Sequence, residues 1–197
     1  MVIGIDLDGV VCDFIGSLLR MEGREELQGG QQDYYFPHKG DCAVYTEEQF
    51  MKAWEEFNIL HGFVGIRMIP GAFEGIEGLL KKKFEIVFVT DRKKESFRDT
   101  WYWMRLMGWY DKIPVVFSDG QKVERVLHSN IDILVDDSLE ILKGVYEEYE
   151  MNFKTALPVC FNQTWNSQLN LTIPRFYDWE ALIEFIVNYR ARKNEGC

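Results

Sequence analysis

The sequence lacks paired cysteines, long apolar runs and an excess of basic residues. Its four cysteines form no C-x-x-C pair, and no apolar stretch approaches the length of a membrane span. We therefore expect a reducing, cytoplasmic location and no contact with a membrane. The first residues also lack the basic and long apolar regions of a secretory signal, which agrees with that location. The formal net charge of −10 argues against a nucleic-acid polymer as a partner, because binding one requires a basic surface.

What the sequence does contain is a regular alternation of short apolar runs and amphipathic segments. With 197 residues and 47% hydrophobic residues, the chain is long enough for one well-buried domain. The apolar runs predict parallel strands at 2–6, 84–90, 113–118, 131–137 and 156–162. Apolar residues at steps of three and four predict helices at 70–83, 93–108, 138–150 and 177–193. This alternation indicates an α/β fold with a doubly wound parallel sheet.

Residues 15–68 interrupt the alternation. They are rich in Gln, Gly, Tyr and Glu, and their clearest amphipathic helix is at 47–60. We expect this segment to form a small helical insertion, whereas 1–14 and 69–197 form the core.

Polar side chains follow four of the predicted strands: Asp6, Asp8 and Gly9 after the first, Thr90, Asp91 and Arg92 after the second, Lys122 after the third, and Asp136 and Asp137 after the fourth. Ligands of open parallel sheets bind beyond these strand ends. Clustered acids repel one another unless a cation lies among them, and oxygen ligands suit Mg²⁺. Because no Cys or His stands beside these acids, zinc is disfavoured. A single Asp-Gly here would indicate only a turn, but the ordered combination favours a functional site.

In this order, the motifs resemble those of the haloacid dehalogenase superfamily of phosphotransfer enzymes. The matched residues are Asp6, Asp8, Thr90, Lys122, Asp136 and Asp137. Within the superfamily, the chain is similar to the 5'(3')-deoxyribonucleotidase family in the segments "IDLDGVVCDF", "IPGAFEGIEGL", "LVDDS", "PVCFNQTWN" and "WEALIEFI". It departs from that family after Thr90, where Asp91-Arg92 replaces a Ser/Thr-Pro pair.

The resemblance implies a role for each matched residue. Asp6 is the expected nucleophile, which forms an aspartyl-phosphate, and Asp8 is the expected acid and base. Thr90 and Lys122 would contact the phosphoryl oxygens. The ligands expected for Mg²⁺ are Asp6, Asp8 through its backbone carbonyl, Asp136 and Asp137. Further substrate contacts are expected from the backbone N–H groups around Gly9 and Asp91 and from the Arg92 side chain, for which a surface ion pair is the alternative.

The insertion lies between the first two motifs, where a cap over the site would exclude water and select the substrate. For a nucleobase, the candidate stacking residues are Tyr34, Tyr35, Phe36 and Tyr45. Phe50, Trp54 and Phe57 have helical spacing, which is typical of the insertion's own core. We expect most of the insertion's aromatic residues to form that core and one or two to face the site.

The sequence therefore predicts a Mg²⁺-dependent phosphomonoester hydrolase, and a 5'-nucleotidase acting on (deoxy)nucleoside monophosphates in particular. One alternative is the same chemistry on a sugar phosphate or another small phosphomonoester. Another is a non-catalytic module that senses phosphate or metal, because receiver domains combine similar residues on a parallel sheet. The expected partner is a small phosphomonoester, and the sequence leaves open whether the chain forms a homodimer.

Overall fold

Six parallel strands form one sheet in the computed structural model, which describes residues 1–25, 45–151, 155–167 and 170–195. The strands are β1 (Val2–Ile5), β2 (Glu85–Thr90), β3 (Val115–Phe117), β4 (Ile133–Asp136), β5 (Leu157–Phe161) and β6 (Arg175–Phe176). Their order in the sheet is β3-β2-β1-β4-β5-β6. The chain extends from β1 to one edge and then crosses to the other side at β4. The order therefore reverses beside β1, and ligands of such sheets bind at this point.

Helices connect the strands. They are α1 (Phe14–Met21), α2 (Glu47–Ile59), α3 (Ala72–Lys81), α4 (Phe97–Leu106), α5 (Lys122–Leu127), α6 (Leu139–Met151) and α7 (Trp179–Glu195). Short 3₁₀ helices precede α4 at Lys94–Ser96 and follow β5 at Thr164–Asn166. Among the helices of the described ranges, none has the length and apolarity needed to cross a lipid bilayer.

The predicted α/β fold with a doubly wound parallel sheet is confirmed. Each of the five predicted strands is present and is shorter than its apolar run. Three elements were not predicted, namely β6, α5 and α1. β6 has two residues and α5 has six, so neither is long enough to show a period. α1 begins at Phe14 after Asp13, whose side chain accepts a hydrogen bond from the Gly16 amide. The division of the chain at 15 and 68 stays a prediction.

The central strands are buried on both faces. In β4, Ile133 and Val135 point to one face and Leu134 to the other, and none of the three has exposed surface, as expected of parallel strands covered by helices. In the register of the sheet, Ile5 lies beside Phe88 on one side and Val135 on the other. The residues that follow these positions therefore emerge together at the carboxyl edge of the sheet.

Trp179, the first residue of α7, anchors this helix to the loop that follows β1. The indole Nε1 donates a hydrogen bond to the Val10 carbonyl oxygen at 3.0 Å. The ring also packs on α3 at Gly75, where a Cβ atom would lie only 2.6 Å from the indole. The tryptophan is 2% exposed. The last helix thereby fixes the backbone beside the first strand end.

We predict that Trp179→Ala destabilises the protein by about 3–5 kcal/mol, because it leaves a large cavity and removes the bond to Val10. Urea unfolding followed by circular dichroism measures this loss. Tyr177→Ala is the matched control, since Tyr177 is 72% exposed and its change should stay within about 0.5 kcal/mol. Similar stabilities of the two variants would contradict the anchoring role.

Candidate active site

A cavity of about 410 Å³ opens at the carboxyl edge of the sheet. The candidate residues that line it are Asp6, Asp8, Gly9, Thr90, Asp91, Arg92, Lys122 and Asp137. Asp136 is fully buried beneath them. Residues predicted from strands far apart in the sequence are thus brought together at the reversal of strand order.

Lys122 joins two of the buried carboxylates. Its Nζ atom lies 2.7 Å from Asp6 Oδ1 and 2.7 Å from Asp136 Oδ2. Burial lowers the pKa of Lys122, but the charges of Asp136 and Asp6 raise it by more, so the pKa lies above its ordinary value. Lys122 is therefore a fixed positive charge next to the candidate nucleophile.

Asp6, Asp136 and Asp137 form a carboxylate cluster whose oxygens approach within 4.8 Å of one another. Burial raises the pKa of Asp6 to about 7; Lys122 opposes the rise, and Asp136 and Asp8 add to it. Burial also raises the pKa of Asp137, together with the charges of Asp6 and Asp136. Within the described residues, the buried Asp137 Oδ1 atom has no hydrogen-bond partner. The cluster therefore fits a hard divalent cation such as Mg²⁺, which would compensate the remaining charge.

The segment after β5 holds Asp137 in place. Trp165 Nε1 donates to Asp137 Oδ2 at 2.7 Å, and the Asn166 side chain donates to the Asp137 carbonyl at 2.9 Å. Gln163 Nε2 donates to the Gly9 carbonyl at 2.6 Å. Gly9 has φ +86°, and a Cβ atom there would lie 2.2 Å from Asp137 Oδ2. A glycine is therefore required at this close approach.

Trp165 and Gln163 also line the cavity, and sequence reasoning did not single them out as site residues. Both lie just after β5, so their place beyond a strand end was the available signal. That signal is weak because neither residue carries a charge.

The Asp8 carboxylate is paired with Arg92, and the two Arg92–Asp8 contacts are 2.8 and 2.7 Å long. The Arg92 backbone N–H donates to Thr90 Oγ1 at 3.2 Å, and Thr90 is buried at the end of β2. The side chain of Asp91 accepts hydrogen bonds from Ser118 Oγ at 2.5 Å and from the Gly120 N–H at 3.0 Å. Asp91 thus links the loops after β2 and β3.

Of the four aromatic residues expected to stack on a nucleobase, the structure describes only Tyr45. Tyr45 does not line the cavity, because its ring is buried and its hydroxyl donates to Glu22. Tyr34, Tyr35 and Phe36 lie outside the described residues. Among the described residues, the aromatic side chains that line the cavity are those of Phe14, Phe50, Trp54, Phe63 and Trp165.

One helix contributes both to this wall and to the packing beneath it. Phe50 and Trp54, one turn apart on α2, line the cavity; we expected most of the insertion's aromatic residues to form its core and one or two to face the site. Phe57 does so, since its ring packs edge-on against Phe14 and Phe63 at centroid distances of 5.5 and 5.0 Å.

No family model and no curated protein matches the chain. Solved structures do. A HAD family hydrolase from Deinococcus radiodurans R1 with bound phosphate and sodium has a TM-score of 0.58 and 14% identity, over 92% of each chain. A HAD-superfamily hydrolase from Ehrlichia chaffeensis has a TM-score of 0.53 and 15% identity, over 95% of this chain and 96% of that one.

A D,D-heptose 1,7-bisphosphate phosphatase from B. bronchiseptica, complexed with magnesium and phosphate, is similar over 95% of this chain and 98% of its own. Its TM-score is 0.51 and its identity is 15%. The neighbours are thus HAD hydrolases and phosphatases. At such identities the likeness establishes that this chain has their fold, and function has to be argued from the site itself.

We predict that Trp165→Phe weakens Mg²⁺ binding about tenfold or more, because it removes the N–H donor that orients Asp137 and keeps an aromatic ring. Isothermal titration with MgCl₂ measures the affinity. Trp101→Phe is the matched control, since Trp101 lies on α4 against Tyr110 and should leave the affinity unchanged. An unchanged Mg²⁺ affinity in Trp165→Phe would contradict the orienting role.

Proposed function

We propose that the protein is a Mg²⁺-dependent phosphomonoester hydrolase that forms an aspartyl-phosphate on Asp6, and that its substrates are nucleoside monophosphates, with deoxy forms preferred. The observation that carries the proposal is the position of Lys122, at 2.7 Å from both Asp6 and Asp136 on the border of the cavity. A buried carboxylate held by one ammonium group, with a cation site beside it, suits attack on phosphorus.

In the first step, an Asp6 carboxylate oxygen bonds to phosphorus while the bond from phosphorus to the leaving oxygen breaks. Lys122 and the Thr90 hydroxyl stabilise the negative charge on the phosphoryl oxygens. Asp136 and Asp137 would hold Mg²⁺, which, when bound, neutralises phosphoryl charge and favours the ionised form of Asp6. Asp8 gives a proton to the leaving oxygen and later takes one from the attacking water.

The insertion supports a nucleotide as the substrate. A cavity of about 410 Å³ is in the range of small-molecule sites, and the aromatic wall provides faces on which a nucleobase can stack. Trp54 is the strongest candidate because its ring is partly exposed and Lys93 Nζ lies 5.1 Å from its centroid. A sugar phosphate is the second candidate, favoured by the similarity to a heptose bisphosphate phosphatase.

We predict that Asp6→Asn abolishes phosphate release from p-nitrophenyl phosphate and from deoxynucleoside monophosphates in the presence of Mg²⁺, because an amide cannot act as the nucleophile. Phosphate release and mass spectrometry of the trapped phosphoenzyme measure the effect. Asp111→Asn removes an exposed acid and should leave turnover unchanged. Wild-type rates in Asp6→Asn would contradict the assignment of Asp6 as the nucleophile.

For the substrate class, we predict that Trp54→Ala raises KM for a deoxynucleoside monophosphate about 5- to 150-fold, because one base–aromatic stack contributes roughly 1–3 kcal/mol. KM for a hexose phosphate should stay within about twofold, since a sugar makes no such stack. Tyr102→Ala, which removes an exposed ring on α4, is the control. Equal increases in KM for both substrates would favour a sugar phosphate over a nucleotide as the substrate.

A further inference from the structure

We propose that Arg92 is the positioning residue for Asp8, which it holds ready for proton transfer to and from the reacting oxygens. The inference rests on the proposed function. The expected role of Arg92, from sequence alone, was a direct clamp on phosphate or substrate, and the geometry assigns it a different one.

The guanidinium group donates two hydrogen bonds to the Asp8 carboxylate, one to each oxygen, and we call this arrangement the fork. Arg92 Nε donates to Asp8 Oδ2 at 2.8 Å, and Nη2 donates to Oδ1 at 2.7 Å. Such a bidentate pair fixes the plane of the carboxyl group as well as its position. Lysine cannot reproduce this geometry, because its ammonium group is a single point charge without a planar fork.

The guanidinium group of Arg92 is held in place by further contacts. Arg92 Nη1 donates to Thr100 Oγ1 at 3.1 Å, and that hydroxyl donates to the Ser96 carbonyl at 2.8 Å. The guanidinium carbon also lies 4.3 Å from the centroid of the Phe63 ring. Contacts from α4 and from the segment after α2 therefore help to hold the arginine.

Exposure distinguishes the two partners. The Arg92 side chain is 1% exposed, whereas the Asp8 side chain is 27% exposed. Each of the three guanidinium nitrogens already donates within the protein, Nε and Nη2 to Asp8 and Nη1 to Thr100, and Asp8 is the more accessible of the pair. Substrate approaching the cavity therefore meets Asp8, and Arg92 acts through it.

Proton transfer is compatible with the fork. A carboxylate offers about four lone-pair sites and the fork uses two, so a remaining site can carry the proton. In the first step, the Asp8 proton passes to the leaving oxygen as its bond to phosphorus breaks and the Asp6–phosphorus bond forms. In the second step, Asp8 takes a proton from water, the water oxygen bonds to phosphorus, and Asp6 and phosphate are released.

The leaving group provides the test. An alkoxide leaves only when protonated, whereas p-nitrophenolate leaves without a proton, and kcat/KM reports only the steps up to its departure. We expect Arg92→Lys to lower kcat/KM for glycerol phosphate and for a deoxynucleoside monophosphate about 10- to 100-fold, a part of the total effect of general acid catalysis. For p-nitrophenyl phosphate the loss should be less than about threefold.

Two further variants make the outcome decisive. Thr100→Val removes the hydrogen bond that supports Arg92 from α4 but keeps the arginine itself. It should lower kcat/KM for the alkyl phosphates by less than Arg92→Lys does, and should again spare p-nitrophenyl phosphate. Arg105→Lys, at an exposed position of α4, should leave kcat/KM unchanged for the alkyl phosphates and for p-nitrophenyl phosphate. Equal losses on alkyl and p-nitrophenyl substrates in Arg92→Lys, or no loss on either, overturn the positioning role. Wild-type protein inactive on all three substrates would instead overturn the proposed function, and the inference with it.

Discussion

Burial of like charges at the end of one sheet is the constraint on which this site depends. Asp6, Asp136 and Asp137 share a space from which water is largely excluded, and among them Lys122 supplies one positive charge. The cluster is held together by strand pairing, since the Asp6 N–H donates to the Val135 carbonyl at 2.9 Å. The sheet thus holds the acids close together although they repel one another. This repulsion lowers the stability of the folded state and leaves a cluster that fits a cation.

A second pair of charges lies beside the first but has different partners. Asp8 faces Arg92 and Asp6 faces Lys122, so two acids separated by one residue lie in different electrostatic environments. The Asp91-Arg92 sequence after Thr90 therefore provides a defined contact within the site.

Local patterns were sufficient to predict five of the six described strands and the charged edge of the sheet, because each apolar run ends where a polar residue begins. Three features of the site could not be predicted in this way. The pairing of Arg92 with Asp8 joins residues 84 positions apart, and no local pattern indicates it. The helical spacing of Phe50, Trp54 and Phe57 marks a buried stripe but not which part of it faces a cavity. Trp165 supports a carboxylate through one indole N–H, and its residue type does not suggest that function.

The contact of Phe63 with Arg92 has a consequence for how such proteins diversify. Phe63 belongs to the segment between α2 and α3, and its ring lies against the guanidinium that holds Asp8. Because Phe63 also lines the cavity, one side chain contributes both to the cavity surface and to the support of Arg92. A new specificity reached through a substitution at Phe63 would therefore also change the support of Arg92.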